Sequence, residues 1–256
     1  MSAIEWADKI WNPITGCGQT SATCLDGYDP DIAKRFWANN PYAYVQFHPE
    51  RLGQPLKWKK PARISVNPRS DLFHGLAPDE QLDQIFAVMA LTPRHTYQIL
   101  TKRPQRMLRY LEGLEDRIEK SYLQPPHERD RILMKISNRD RPLSNLWLGV
   151  GIENHRAVCD RARFLHKISQ RGWKTFYSVE SLLQPVDLWL KSFPVDWVIV
   201  ESELCSDAEN IRDVVWQCQS TQTPVFVKQG EGNGTEKFPD DLKLREVPTL
   251  GRKNLG

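Results

Sequence analysis

The sequence lacks most of the features that would remove it from the ordinary globular class. No run of about 18 apolar residues occurs, so no membrane-spanning helix is expected. The longest apolar stretches, such as Trp197 to Val200, are strand-sized. The opening MSAIEWADKIW carries Glu5 and Asp8 and no apolar h-region, so the expected compartment is the cytoplasm. Five cysteines in 256 residues do not read as a disulfide framework. No GxGxxG follows a strand-like run, which argues against a dinucleotide fold, and no HExxH or GxSxG is present. Charge of one sign is also scarce: the net charge is +3, too small to argue for a nucleic-acid partner by itself. With 40% apolar and 26% charged residues, disorder, collagen and coiled coil are excluded.

What is present is alternation. Strand-like runs fall at Lys9 to Thr15, Ala62 to Val66, Thr96 to Thr101, Leu146 to Ile152, Lys174 to Val179, Asp196 to Val200 and Pro224 to Lys228. Most are near-continuously apolar, as in strands buried on both faces of a parallel sheet. Helical patterns fall between them at Asp31 to Asn39, Asp79 to Ala90, Pro104 to Glu112, Arg156 to Ser169, Val186 to Lys191 and Asn210 to Ser220. The spacing predicts an α/β fold, a partial (β/α) barrel of six or seven parallel strands in one domain over 1–256. A charged surface insertion is expected at 113–145 and a loosely packed tail at 231–256.

In such folds ligands bind beyond the carboxyl ends of the strands. The residues there are Asn67, Ser70, Asp71 and His74; Thr101, Lys102 and Arg103; Glu153, Asn154 and His155; Ser178 and Glu180; Glu201 and Glu203; and Lys228 and Gln229. Glu180, Glu203, Lys102 and Lys228 are the candidate acids and bases. Asn67, Ser70, Asp71, Thr101, Arg103, Glu153 and Gln229 are candidates for holding a cofactor. Part of this set has plainer readings, since Asn154 suits a helix cap and Pro104 a helix start. Cys17 and Cys24 lie seven positions apart in a loop after the first strand, where thiolates could hold zinc or an iron–sulfur cluster. Cys205, after the sixth strand, could face the same rim. Cys159 and Cys218 fall in helical patterns.

The blocks WNPITGC, HPERLGQPLKWKKPARISVNPRSDLFH, HTYQILTKRPQRM, LWLGVGIEN, SVESLLQPVDL, DWVIVESE and VKQ occur in this order. Together they resemble a phage- and prophage-associated family of radical-SAM-type proteins, a partial barrel related to the TIM barrel. The resemblance implies a [4Fe–4S] cluster and S-adenosylmethionine. The family pattern places three cysteines in the first loop, spaced C-x6-C-x2-C and followed by Tyr. Here Cys17 and Cys24 match the first two, and Gly27 stands in the third place before Tyr28. A Gly-Gly-Glu-Ser-Gly stretch is replaced by Glu201-Ser202-Glu203-Leu204-Cys205, a Cys-Glu-Pro by Val179-Glu180-Ser181, and a Lys-Gln-Trp by Lys228-Gln229-Gly230. The expectation is a divergent member whose cluster is absent or labile, binding a cofactor, nucleotide or partner at the rim. Two alternatives remain. One is a non-catalytic binding protein for a host protein or nucleic acid, with Lys57-Trp58-Lys59-Lys60 and the stretch from Arg94 to Arg109 as basic segments. The other is a cluster-independent hydrolase or lyase on the same barrel.

Overall fold

Pro13 divides what the sequence offers as one first strand, because a proline has no N–H to give a sheet ladder. In the computed structural model, which describes residues 5–16, 45–68, 70–121, 125–138, 140, 142–180, 184–202, 208–229 and 239–248, that run becomes β1 (Lys9–Trp11) and β2 (Ile14–Thr15). β2 pairs antiparallel with β3 (Gln46–Phe47), a two-residue strand with no periodicity to announce it. Two short helices follow, α1 (Pro49–Leu52) and α2 (Gln54–Lys57), each with a proline in its first turn. The expected helix at Asp31 to Asn39 lies outside the described residues.

From there the alternation is regular. β4 (Arg63–Val66), α3 (Asp79–Leu91), β5 (Thr96–Thr101) and α4 (Pro104–Glu112) come in turn. α5 (Leu114–Glu119) and α6 (Pro126–Ile136) occupy the charged segment and bury Leu114, Ile118, Ile132 and Ile136. β6 (Leu146–Ile152), α7 (His155–Ser169), β7 (Lys174–Val179), β8 (Trp197–Ser202), α8 (Ala208–Ser220) and β9 (Val225–Gln229) complete the series. No described helix is long and apolar enough to cross a membrane.

The chain divides into two compact units, Met1–Leu148 with Gln170–Trp173, and Gly149–Ser169 with Lys174–Gly256. β6 begins in the first and ends in the second. In the first unit β1 lies parallel to β4 (Trp11 beside Val66) and β4 parallel to β5 (Val66 beside Ile99). Tyr97 N then donates to Asn145 O (2.8 Å), at the start of β6. In the second unit Glu180 N donates to Ile152 O (2.8 Å), which sets the end of β7 beside the end of β6. β7 and β8 are parallel with Phe176 beside Trp197, and β8 and β9 with Val198 beside Val225. Each unit therefore keeps strand order equal to chain order, as a (β/α) barrel does and a doubly wound sheet does not. The α/β class and the seven parallel strands are as expected.

One expected helix is absent. Val186 to Lys191 is irregular, because Gln217 of α8 takes its backbone bonds: Leu188 N donates to Gln217 Oε1 (2.9 Å) and Gln217 Nε2 to Val186 O (2.8 Å). Asp187 accepts from Trp189 N (2.9 Å), and Trp189 has φ 53°, which no helix contains. Trp11, Trp147, Trp173 and Trp197 are buried, whereas Trp216 is 64% exposed on α8. At Gly149 a Cβ would run into the ring of Phe176, so this β6 position admits only glycine while Phe176 keeps its place.

The first unit is held by an aromatic and ionic knot. Phe73, Phe86 and Tyr110 are fully buried, with ring centroids 5.0 to 6.5 Å apart; each such burial is worth roughly 2 kcal/mol. The Tyr110 hydroxyl donates to Asp83 (3.0 Å). Arg117 of α5 donates to both Asp83 oxygens (3.1 Å each) and lies 4.4 Å over the Tyr110 ring. Burial pushes the Asp83 carboxyl above the usual carboxylate range, and the Arg117 contacts oppose that. A raised carboxyl in the fold contributes stability at low pH that is lost as pH rises through its folded value. Arg117→Met leaves a buried carboxylate with no cation, and should cost about 3 kcal/mol at pH 7. Denaturant unfolding should show a smaller loss at pH 5, where the carboxyl can take a proton; equal losses at both pH values would refute this reading.

Candidate functional site

The strand ends of the two units carry different chemistry. In the first unit Val66 ends β4 and Asn67 turns the chain with φ 54°, a conformation asparagine tolerates better than most residues. Its Nδ2 donates to Ile14 O (2.7 Å) and to Ser70 Oγ (2.9 Å), and Ser70 Oγ donates to the same Ile14 O (3.0 Å). Ile14 is followed by Gly16, whose φ of 89° needs glycine, and then by Cys17. Asn67 and Ser70 thus fix the backbone that enters the cysteine loop. Asn67 Oδ1 is buried without a hydrogen-bond donor among the described residues.

Asp71, buried, is the hub of this end. Its Oδ1 accepts from Phe73 N (2.9 Å) and Thr101 Oγ1 (2.7 Å); its Oδ2 accepts from Lys102 N (3.3 Å) and Arg103 (2.7 Å). Thr101 Oγ1 in turn accepts from Arg103 N (3.0 Å). The loop after β4 is thereby clasped to the start of α4. Nearby His74 accepts from Leu76 N through Nδ1 (3.1 Å), which leaves its proton on Nε2. Burial, helped by the Arg103 charge, pushes its pKa below the ordinary imidazole value, so it is neutral at pH 7. The structure does bring Asn67, Ser70, Asp71, Thr101 and Arg103 together, yet it engages their polar atoms chiefly with one another. The stretch from Arg94 to Arg109 dissolves in the same way: Arg103 pairs with Asp71 and Arg106 with Asp79.

In the second unit Glu153 is likewise consumed. Arg161 of α7 grips it with two bonds (2.6 and 2.8 Å) and also donates to Gly151 O (2.6 Å), and both side chains are nearly buried. Asn154 caps α7 by accepting from Ala157 N (2.9 Å). His155 stands edge-on to Trp189, 5.4 Å away.

Three residues at the ends of β7, β8 and β9 are placed differently. In parallel strands, residues in register share a face, and alternate residues along a strand share it too. Ser178 is in register with Ile199 and Ile199 with Phe226. Two positions on, Glu201 is in register with Lys228, and Glu180 is the first residue after β7, following Val179, which is in register with Val200. Glu201 and Lys228 therefore share one face of adjacent strands, and with Glu180 they make a row of strand-end residues. Lys228 Nζ lies 3.7 Å from Glu201 Oε2, with side chains 29% and 19% exposed. Below the row, the Ser178 hydroxyl is buried with no hydrogen-bond partner among the described residues. The sequence places Glu201 and Glu203 at this strand end and takes Glu203 as the candidate acid; of the two, Glu201 is described, and it is the neighbour of Lys228. Gln229 ends β9 in register with Ser202. Lys102 belongs, by its backbone, to the Asp71 clasp. Cys17, Cys24, Gly27, Glu203 and Cys205 lie outside the described residues; among those described, no three metal-ligating side chains gather.

The contrast between clasp and row is measurable. Asp71→Ala strips a buried hub and should lower stability by about 3 kcal/mol. Lys228→Ala removes one member of a partly exposed pair and should cost under about 1 kcal/mol. Thermal unfolding of both variants checks this; a Lys228→Ala loss as large as that of Asp71→Ala would make the row structural.

No curated protein matches the chain. Among solved structures, spore photoproduct lyase complexed with dinucleoside spore photoproduct is 12% identical, covers 82% of this chain and 60% of its own, and gives a TM-score of 0.45. A point mutant of spore photoproduct lyase is also 12% identical, covers 87% of this chain and 64% of its own, and gives 0.47. The chain thus spans less than two thirds of the length of these proteins. Over residues 1–249 it matches the family described as protein of unknown function (DUF5131), and it belongs to that family.

Proposed function

We propose that this protein is a divergent radical-SAM-type protein that binds an S-adenosylmethionine-like or nucleotide ligand beyond the carboxyl ends of β7, β8 and β9. The observation that carries this is the row of Glu180, Glu201 and Lys228, with Glu201 and Lys228 held at one level by strand register and Glu180 at the end of the neighbouring β7. Such a row suits a ligand with both kinds of group. The carboxylates accept from an amine or from ribose hydroxyls, and the ammonium donates to a carboxylate or phosphate. A carboxylate beside a lysine is also the arrangement for passing a proton, with Lys228 and Glu201 as the pair. Glu203 follows Glu201 by two positions in sequence, and Gln229 stands beside Lys228 in sequence.

The donor set for a cluster is incomplete. A [4Fe–4S] cluster in this family takes three thiolates from the first loop and leaves one iron for S-adenosylmethionine. Here that loop supplies Cys17 and Cys24, and Gly27 has no side chain to offer. The residues do not fit the full group, so no chemical step is assigned to it, and the ligand is assigned to the strand-end row. Asn67 and Ser70, which hold the entry to the cysteine loop, are positioning residues in this reading.

The test is anaerobic titration with S-adenosylmethionine and with ATP, before and after incubation with iron and sulfide. The expected result is saturable binding of one of them without stoichiometric iron, weakened at least tenfold by Lys228→Ala and by Glu201→Gln. Binding unaltered in both variants, or a stoichiometric cluster in the unmodified chain, would overturn the proposal.

A further inference from the structure

The opposite end of the first unit gathers positive charge, and the carboxylate nearest to it among the described residues, Asp8 beside Lys9, is bonded to Arg63. Lys57 closes α2, Lys59 and Lys60 follow it, and all three are exposed. Lys9 opens β1, also exposed, with its Nζ 5.1 Å from the centre of the Trp58 ring. Arg94 lies two residues ahead of β5, and it donates to the carbonyl oxygens of Pro55 (3.1 Å), Leu56 (3.0 Å) and Trp58 (2.9 Å). Among the described residues none of these five cations is ion-paired with a carboxylate. Elsewhere in the first unit the arginines behave otherwise: Arg63 pairs with Asp8, Arg103 with Asp71, Arg106 with Asp79 and Arg171 with Glu112.

The platform under these charges is fixed. Pro55 is buried, and its carbonyl takes bonds from both Arg94 and His95 Nε2 (3.1 Å). The Trp58 ring meets the buried His95 ring edge-on at 6.1 Å. Arg94 thus ties down the end of α2 while keeping its charge, and the lysines project from backbone held in one conformation. Ammonium groups crowded within a Debye length of about 10 Å repel one another, and a polyanion relieves that repulsion.

We propose that this corner, formed by Lys9, Lys57, Lys59 and Lys60 at the amino ends of β1 and β4, binds the phosphate backbone of a nucleic acid without reading its sequence. A nucleic acid fits better than a membrane. The patch offers charge but little to insert, since among the described residues its large exposed apolar side chains are Leu56 and, beside Lys9, the partly exposed Ile10, and Trp58 is partly covered. A duplex presents a phosphate charge about every 1.7 Å along its axis, and each contact releases a counterion. With three or four lysines engaged, affinity should fall about a hundredfold between 50 and 200 mM salt.

Fluorescence anisotropy of the full chain with a labelled 25-base-pair duplex, and with a single strand of equal length, tests this. Saturable binding at 50 mM salt is expected, with the steep salt dependence given above. The triple variant Lys57→Gln, Lys59→Gln, Lys60→Gln keeps the side-chain stems and should bind at least tenfold more weakly, with a salt slope about three smaller and an unchanged melting temperature. Arg131→Gln with Lys135→Gln on α6 should bind like the unmodified chain, which separates a local contact from net charge. Absence of binding at 50 mM salt, equal binding by the triple variant, or binding to phosphatidylserine vesicles with none to either oligonucleotide would overturn it.

Discussion

Register between parallel strands is the constraint on which the second unit's chemistry depends. Once Val198 sits beside Val225 and Phe176 beside Trp197, every later residue on those strands has its level and face decided. Glu201 and Lys228 meet because the ladder delivers them to one height, and Glu180 stands at the same end because it directly follows Val179, the last residue of β7. A slip by one residue would turn a strand's side chains to the other face. The apolar pairs below the row, Ile199 with Phe226 and Val200 with Val227, make such a slip costly, since they are buried on both sides of the sheet. Ordinary core packing thus holds a carboxylate and an ammonium side by side.

Burial decides which polar strand-end residues are left for a ligand. Asp71, Glu153 and Asp83 are deeply buried carboxylates, and each is met by an arginine: Arg103, Arg161 and Arg117. A buried charge without such a partner would unfold its surroundings, so these pairs belong to the fold. Glu201 and Lys228 keep contact with solvent and lie farther apart, at 3.7 Å. The same reasoning separates the basic segments, because Arg103 and Arg106 are neutralised in place, whereas Lys57, Lys59 and Lys60 face outward from an anchored turn.

Strong local periodicity made much of the fold legible. The continuous runs of β5, β6, β7 and β8 and the apolar stripe of α3 stand in the structure within a residue or so of where the sequence puts them. What escaped was set by partners distant in sequence. Gln217 keeps Val186 to Lys191 from becoming a helix, and no local signal shows a side chain 31 residues away taking a backbone bond. β3 exists only because β2 needs a partner. At the strand ends the sequence gathered the residues of the Asp71 clasp, but their bonds to one another are a matter of distances that spacing does not give. Spacing likewise offered Glu201 and Glu203 alike, and register gives Glu201 as the neighbour of Lys228.

Hydrogen–deuterium exchange of the full chain, with and without saturating S-adenosylmethionine, tests the central claim most directly. The account predicts slowed exchange at the ends of β7, β8 and β9, around 178–180, 199–202 and 226–229, with the Asp71 clasp unchanged because its bonds are already made. Slowed exchange confined to the clasp, or to neither region while the ligand is bound, would contradict it.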